Sequence, residues 1–237
     1  QKSSIAVCAA LVKEGKADAF ISMGSTGANM AASVLALGLF PGLNRPTLGG
    51  PFIGLAPKTT IIDIGANIDS RPDQLLNFGA LGASFQRFWL GIENPRVGLL
   101  SVGSEEGKGN KQVQESFALF KASGLNFVGN IEGHDIFRDK ADVVVCDGFV
   151  GNVLLKYTEG LAEAAAASLS GVLGPDSPAL ERIAGLAAAA QRGGGPLLGV
   201  NGVAIAGHGR SGAEEIAASI ALAGRLIEAG LVERMRS

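Results

Sequence analysis

The stretch VVVCDGFVGNVLLKYTEG, residues 143–160, decides how this chain is read. Four apolar residues, Val143 to Cys146, stop at Asp147 and Gly148, and Val150-Gly151-Asn152 then opens a segment with helical periodicity. A short continuous apolar run is the mark of a strand buried on both faces. The acid and the glycines sit where such a strand hands over to a helix.

The same grammar recurs on either side. Ala19-Phe20-Ile21-Ser22-Met23 is a strand followed by Gly24-Ser25-Thr26-Gly27 and an Ala-rich helix to about Leu39. Residues 59–64 form a β-branched strand that runs into Asp63-Ile64-Gly65-Ala66-Asn67, and Ser70 and Pro72 announce a helix to about Trp89. Residues 96–102 lead into a polar loop, 103–110. The helix after it shows Val113, Phe117 and Phe120 and stops at Gly124. Residues 125–128 are a further short strand, ending in Gly129-Asn130-Ile131-Glu132-Gly133. Strands alternating with helices, each strand nearly all apolar, predict a three-layer α/β/α fold with a mainly parallel sheet. We read residues 1–237 as one such domain. In these sheets ligands bind beyond the carboxyl ends of the strands, so the polar strand ends are expected to face one cleft.

Several segments break the rhythm. Residues 41–57 are a Pro/Gly-rich loop. Ser4 is expected to cap a first helix carrying Ile5, Cys8, Leu11 and Val12, ended by Gly15. Residues 158–192 read as a helical hairpin around Gly174-Pro175-Asp176-Ser177-Pro178, either a packing or dimer element or a tip that touches a membrane. Residues 199–206 are an extended segment interrupted by glycine, closing on Gly207-His208-Gly209. The last helix is expected to begin at Ser211 with Glu214 completing a capping box, and to carry Ile216, Ile220, Ala223 and Ile227 along one face.

Composition narrows the function. Of 237 residues, 47% are hydrophobic and 18% charged, which fits a globular chain with a sizeable core. The net charge of −2, without a run of Lys and Arg, argues against nucleic acid as a partner. Thirty-five glycines are about twice the usual share. Two cysteines and two histidines, all scattered, form neither a disulfide framework nor a metal-ligand cluster, and no cofactor is expected. No signal peptide opens the chain and no apolar run reaches the ~18 residues of a membrane span, so a cytoplasmic protein is expected. Lacking an initiator Met and entering directly on a helix, the sequence reads as a fragment or a trimmed chain.

The strand ends supply the candidate chemistry. Gly24, Ser25, Thr26 and Gly27 place N–H groups and hydroxyls at a helix start, which suits an anion or simply a tight turn. Residues 103–110 lack P-loop spacing, but the loop can still carry Lys108 to a phosphate. Asp63 and Asn67 flank a strand end, as cleft residues or as turn caps. Asn152 and Lys156 lie one helical turn apart just past Asp147 and can hold one anion together. Cys146 belongs to an apolar strand and reads better as structural than as a nucleophile. His208, between glycines, is the candidate acid or base.

Taken together, several long phrases resemble the bacterial acyl-ACP:phosphate acyltransferases of phospholipid synthesis. They include SSIAVCAALVKEGKADAFISMGSTGA, IIDIGANIDSRPDQLLNFGALG, ENPRVGLLSVGSEEGKGN, LNFVGNIEG, ADVVVCDGFVGNVLLKYTEG and GGPLLGVNGVAIAGHG. They follow the family's order from Ser3 to about Gly209. The resemblance implies a phosphotransacetylase-like or isocitrate-dehydrogenase-like fold. It implies a cytosolic homodimer that associates peripherally with membrane, and the transfer of a long-chain acyl group from acyl carrier protein to inorganic phosphate. Two departures stand out. The family's N-terminal portion, with its first strand and an Asp-Ala-Met-Gly-Gly-Asp-like turn, has no counterpart here, and Ser25 stands where the family usually has Asn. On this reading Gly24, Ser25, Thr26 and Gly27 bind phosphate or the thioester carbonyl, and Asp63 and Asn67 order the cleft. Lys108 and Lys156 neutralise the anion, Asn130 and Asn152 donate amide hydrogen bonds, and Asp147 and His208 position groups or move a proton. The alternatives are a CoA-dependent phosphate acetyl- or butyryltransferase, an NAD-dependent hydroxy-acid dehydrogenase of similar fold, and a non-catalytic acyl-ACP-binding homologue.

Overall fold

The computed structural model describes residues 3–52, 56–174, 177, 178 and 194–236. Its elements run α1 (Ser4–Lys13), β1 (Ala19–Ser22), α2 (Thr26–Leu37), β2 (Thr47–Phe52), β3 (Ala56–Ile62), α3 (Pro72–Leu90), β4 (Val97–Leu100), α4 (Lys111–Ala122) and β5 (Phe127–Ile131). After a 3-10 turn (Gly133–Phe137) come β6 (Val143–Val145), α5 (Gly148–Leu173), β7 (Gly195–Leu198) and β8 (Val203–Ala206). The chain closes with helices we number α6 (Ala213–Glu228) and α7 (Leu231–Arg236).

The eight strands form one sheet in the order β1-β8-β7-β2-β3-β6-β4-β5. Pairs β1–β8, β3–β6, β6–β4 and β4–β5 are parallel, while β8–β7, β7–β2 and β2–β3 are antiparallel. Period-two alternation sends successive side chains to opposite faces. Ile62, Val143, Val145, Val203 and Ile205 join Phe78 and Phe85 of α3, Phe120 of α4 and Leu226 of α6 on one face. On the other face Ile61, Val144 and Cys146 meet Leu155 of α5, and Phe20 and Ala204 meet Ala9 of α1 and Met30 of α2. The sheet thus lies between two helical layers, as the buried apolar runs require.

The structure departs from the sequence expectations in four places. The Pro/Gly-rich segment contains β2, whose Gly49 pairs with Ile62 and approaches that side chain too closely for a Cβ. The extended segment 199–206 holds β8 alone, and an unexpected strand, β7, precedes it and pairs with it antiparallel. The last helix starts one residue later: Gly212 is its cap, and its N–H donates to the Glu215 carboxylate at 2.8 Å. That helix buries Ser219, Ala223 and Leu226 and leaves Ile216, Ile220 and Ile227 exposed. It is apolar on two adjacent stripes, and the one with small residues goes inward because it packs directly on β1 and β8. The first arm of the expected hairpin is the continuation of α5 to Leu173, while the second arm lies outside the described residues. Among the described residues no helix is long and apolar enough to cross a membrane.

The starts of β3, β6 and β4 are fastened by polar groups. Gln86 of α3 donates to the carbonyls of Lys58 (2.8 Å) and Asp142 (2.6 Å), tying the helix to β3 and β6. Asp142 accepts from the Arg96 backbone N–H at 2.7 Å and from its guanidinium at 3.0 and 2.9 Å, which aligns the starts of β4 and β6. Burial pushes the Asp142 carboxyl up, but the bonds from Arg96 outweigh it and hold the group below the usual carboxylate range. Asp142 therefore stabilises the fold above that range, and its contribution is lost as pH falls through the depressed folded value. We predict that Asp142→Asn lowers stability at neutral pH by about 1–3 kcal/mol, discounted for the partly solvated guanidinium. It also flattens the acid limb of stability against pH. Urea unfolding from pH 3 to 8 measures both.

Candidate functional site

The carboxyl end of β3 turns on Asp63, a carboxylate with no exposed surface. One oxygen accepts from the N–H groups of Gly65 (2.9 Å) and Ala66 (2.8 Å). The other accepts from the Asn67 N–H (2.8 Å) and the Asn67 side-chain amide (2.7 Å). Burial raises the Asp63 pKa, and these four donors pull against it. Asn67 spends its second amide hydrogen on the Pro46 carbonyl, binding the turn to the chain entering β2.

Helix α5 docks on this turn, which accounts for the residues at its start. The Asp147 carboxylate accepts from Val150 N–H at 2.8 Å and caps the helix. Gly148 N–H donates to the Asn67 carbonyl at 2.7 Å, and a Cβ there would meet that same backbone. A Cβ on Gly151 would lie 1.8 Å from the Asp63 carbonyl oxygen, so only glycine allows the approach. Asn152 adds a bond from its amide to the Ile64 carbonyl at 3.3 Å. Cys146 lies beneath. Burial, then the neighbouring Asp63 and Asp147 charges, push its thiol well above its ordinary pKa, so it stays protonated and is no nucleophile.

Two turns further along α5 is a second cluster. Glu159 is buried, and one of its oxygens accepts from Lys156 Nζ at 2.8 Å and from Arg210 Nη2 at 3.1 Å. Arg210 comes from the turn after β8, two residues past His208. The His208 imidazole is half-buried. Burial, then the Lys156 charge, lower its pKa from the ordinary 6.5, with Glu159 opposing, so the ring is neutral at pH 7. Gly207 N–H donates to the Ser22 carbonyl at 3.0 Å, joining this turn to the end of β1. There Gly24 N–H is taken by Ser22 Oγ (3.1 Å), and Ser25 Oγ caps α2 by accepting from Ala28 N–H (3.3 Å). Thr26 and Gly27 remain in the first turn of α2, where helical geometry provides no acceptor for their N–H groups. A cavity of about 350 Å³ lies between α1 and the end of β1, lined mainly by Ile5, Cys8, Ile21, Met23 and Gly24.

The loop 103–110 stands apart. The Lys108 stem folds over Gly103 of its own loop. Asn130 donates its amide to the Glu105 carbonyl at 2.9 Å, which fastens that loop to β5. Among the described residues Glu132, His134 and Asp135 bring possible metal-ligand atoms within 4.8 Å of one another. Lys140 Nζ already lies 2.8 Å from the buried Asp135 carboxylate, an arrangement that suits a cation pair rather than a metal.

The matching family model is that of the fatty acid synthesis proteins, and it covers residues 1–234. The chain belongs to this family. It is 45% identical to a phosphate acyltransferase of Desulfitobacterium hafniense over 99% of this chain and 73% of that protein. It is 47% identical to one of Syntrophomonas wolfei over 90% of this chain and 66% of that protein. Similar solved structures include a phosphotransacetylase from Streptococcus pyogenes, with TM-score 0.60 and 18% identity over 94% of this chain and 67% of that one. A 4-hydroxythreonine-4-phosphate dehydrogenase from Klebsiella pneumoniae aligns with TM-score 0.56 and 16% identity over 94% and 69%. At these identities the two structures speak for the fold alone.

Within this family member the expected site residues fall into three groups. Asp63, Asn67, Asp147 and Asn152 meet at the docking of α5, and each makes hydrogen bonds within the chain there. Lys156 and His208 meet at the second cluster, next to the turn of Gly24, Ser25, Thr26 and Gly27. Lys108 and Asn130 sit at the separate loop. A single cleft at a common sheet edge does not form, because β1 and β8 run opposite to β3, β6, β4 and β5. The face of α5 carrying Asn152, Lys156 and Glu159 touches the first two groups instead. Sequence reading missed Glu159 and Arg210. Lys156 and Glu159 stand at i, i+3, a spacing that signals a facing pair, but nothing in sequence brings Arg210 to them. We predict that Gly151→Ala destabilises the protein by roughly 2 kcal/mol or more. Overpacking against an immovable carbonyl exceeds the ~1 kcal/mol that alanine gains in a helix. Thermal unfolding of the variant checks it.

Proposed function

We propose that this chain transfers a long-chain fatty acyl group from the thioester of acyl carrier protein to inorganic phosphate, giving acyl-phosphate and the free carrier thiol. The observation that carries this reading is the second cluster. There a cation, Lys156, stands near a neutral imidazole, His208, on a turn that Gly207 ties to the end of β1, where Gly24 lines an apolar cavity and α2 begins. That its relatives are phosphate acyltransferases supports the acyl transfer to phosphate.

In this reading Lys156 holds phosphate against the thioester carbon, converting a dilute encounter into a positioned one. A phosphate oxygen attacks the carbonyl carbon, and the carbonyl oxygen gains negative charge. The N–H groups of Thr26 and Gly27 are the fixed donors that receive it, and such donors are each worth about 10²–10³ in rate. His208 takes the proton that phosphate loses and returns it to the departing thiolate as the C–S bond breaks. Attack is direct, with no acyl-enzyme on the protonated Cys146. Lys108 lies on the outer loop as a cation for the acidic carrier. Asp63, Asn67, Asn130, Asp147 and Asn152 hold the backbone in place rather than touch substrate. The exposed Ile216, Ile220 and Ile227 offer a homodimer an apolar face, and peripheral membrane contact near the end of α5 fits a lipid-making enzyme.

The test is acyl-phosphate formation, read by mass spectrometry, with palmitoyl-acyl carrier protein and acetyl-CoA as competing donors. We expect product from the first and little from the second. Product from acetyl-CoA alone would turn the assignment to a short-chain CoA-dependent transferase, and none from either would remove it. His208→Ala is expected to lower kcat by about 10² or more.

A further inference from the structure

We infer that Glu159 is a positioning residue that makes Lys156 and Arg210 into one two-pronged site for inorganic phosphate, with Arg210 as its second cation. This rests on the phosphate-acceptor reading above and assigns the source of that site's geometry.

Glu159 is only 3% exposed, and a carboxylate is buried at high cost unless it is paired. One partner would meet that need. Here two cations from different elements, α5 and the turn after β8, converge on the same oxygen, Oε2. The other oxygen, Oε1, is buried and has no hydrogen-bond partner among the described residues. Two cations from separate elements on one buried oxygen are more than pairing of the carboxylate requires.

The arrangement leaves one net positive charge at the surface. The Lys156 and Arg210 side chains are 43% and 63% exposed, so both heads face solvent while sharing a buried anchor. Each spends one donor on Glu159, and an ammonium has three N–H groups and a guanidinium five. The spare donors point away from the anchor, and a tetrahedral oxyanion suits them. Without the Glu159 charge the two cations would repel each other and separate.

The experiment measures inorganic phosphate binding by calorimetry without acyl donor, together with steady-state kinetics. Glu159→Gln preserves size and removes the charge. We expect its dissociation constant and KM for phosphate to rise about tenfold or more, with kcat at saturating phosphate within about threefold of wild type. Arg210→Gln, a change at an exposed turn that leaves the core alone, is expected to weaken phosphate binding to a similar degree. The double variant should lose less than the sum of the two single losses, because Glu159 acts in part through Arg210. Wild-type affinity in a folded Glu159→Gln protein, additive losses in the double variant, or unchanged binding by Arg210→Gln would each overturn the inference. If Glu159→Gln does not fold, the Arg210→Gln result decides. Loss of phosphate binding in the variants of a protein that makes no acyl-phosphate would retain the site and discard the reaction. Normal acyl-phosphate formation with unaltered phosphate affinity in the variants would do the reverse.

Discussion

A single carboxylate organises the centre of this molecule. Asp63 has no access to water, and four N–H groups from its own turn replace the solvent it has lost. The turn so fixed presents its carbonyls outward, and α5 seats on them through two glycines. The Ile64 and Ala66 side chains of the same turn pack on the cluster containing Phe20, Met30 and Ala204. The two halves of the sheet, the long helix and the polar face of that helix therefore depend on one buried anion keeping its donors. Burial outweighs those hydrogen bonds and raises the pKa of Asp63.

Much of the architecture was legible in the residues. Val143, Val144 and Val145, or Val97 to Leu100, are continuous apolar runs because both faces of the sheet are covered, and that pattern needs no tertiary knowledge. β2 was hidden because Gly49, Gly50 and Pro51 are poor strand formers. They are tolerated where the chain reverses direction and one backbone crowds a neighbouring side chain. β7 was missed for a related reason, since Gly195 and Pro196 are poor strand formers and leave only Leu197 and Leu198 as an apolar signal. The reversal these strands introduce also defeated the idea of a common cleft. Strand polarity across eight positions is a property of pairing, and no local run of residues encodes it.

The site was legible in type more than in role. The sequence marked Asp63, Asp147, Asn67 and Asn152 as meaningful, and they are, but chiefly as the means by which a helix and a turn interlock. Both amide hydrogens of Asn67 are spent within the chain. Lys156 and His208 were found as separate candidates, one by helical spacing and one by its flanking glycines. Their neighbour Glu159 was passed over because an acid three residues after a lysine is ordinary on a solvated helix. Only its burial, and the arrival of Arg210 from about fifty residues downstream, make it unusual.

The seating of α5 has a mechanical consequence. Gly151 fixes one point of the helix against the Asp63 carbonyl, and Glu159 lies eight residues on, about 12 Å along the axis at 1.5 Å per residue. A helix of this kind is a stiff ruler. Its zero is set by the absence of two methyl groups, and its far mark carries the charged heads. Adding a methyl at the zero would slide the scale along its own length and displace the cations at a distance from the altered residue. The tolerance with which charge is placed in this protein is thus set by the closest packing of backbone on backbone, remote from any charged group.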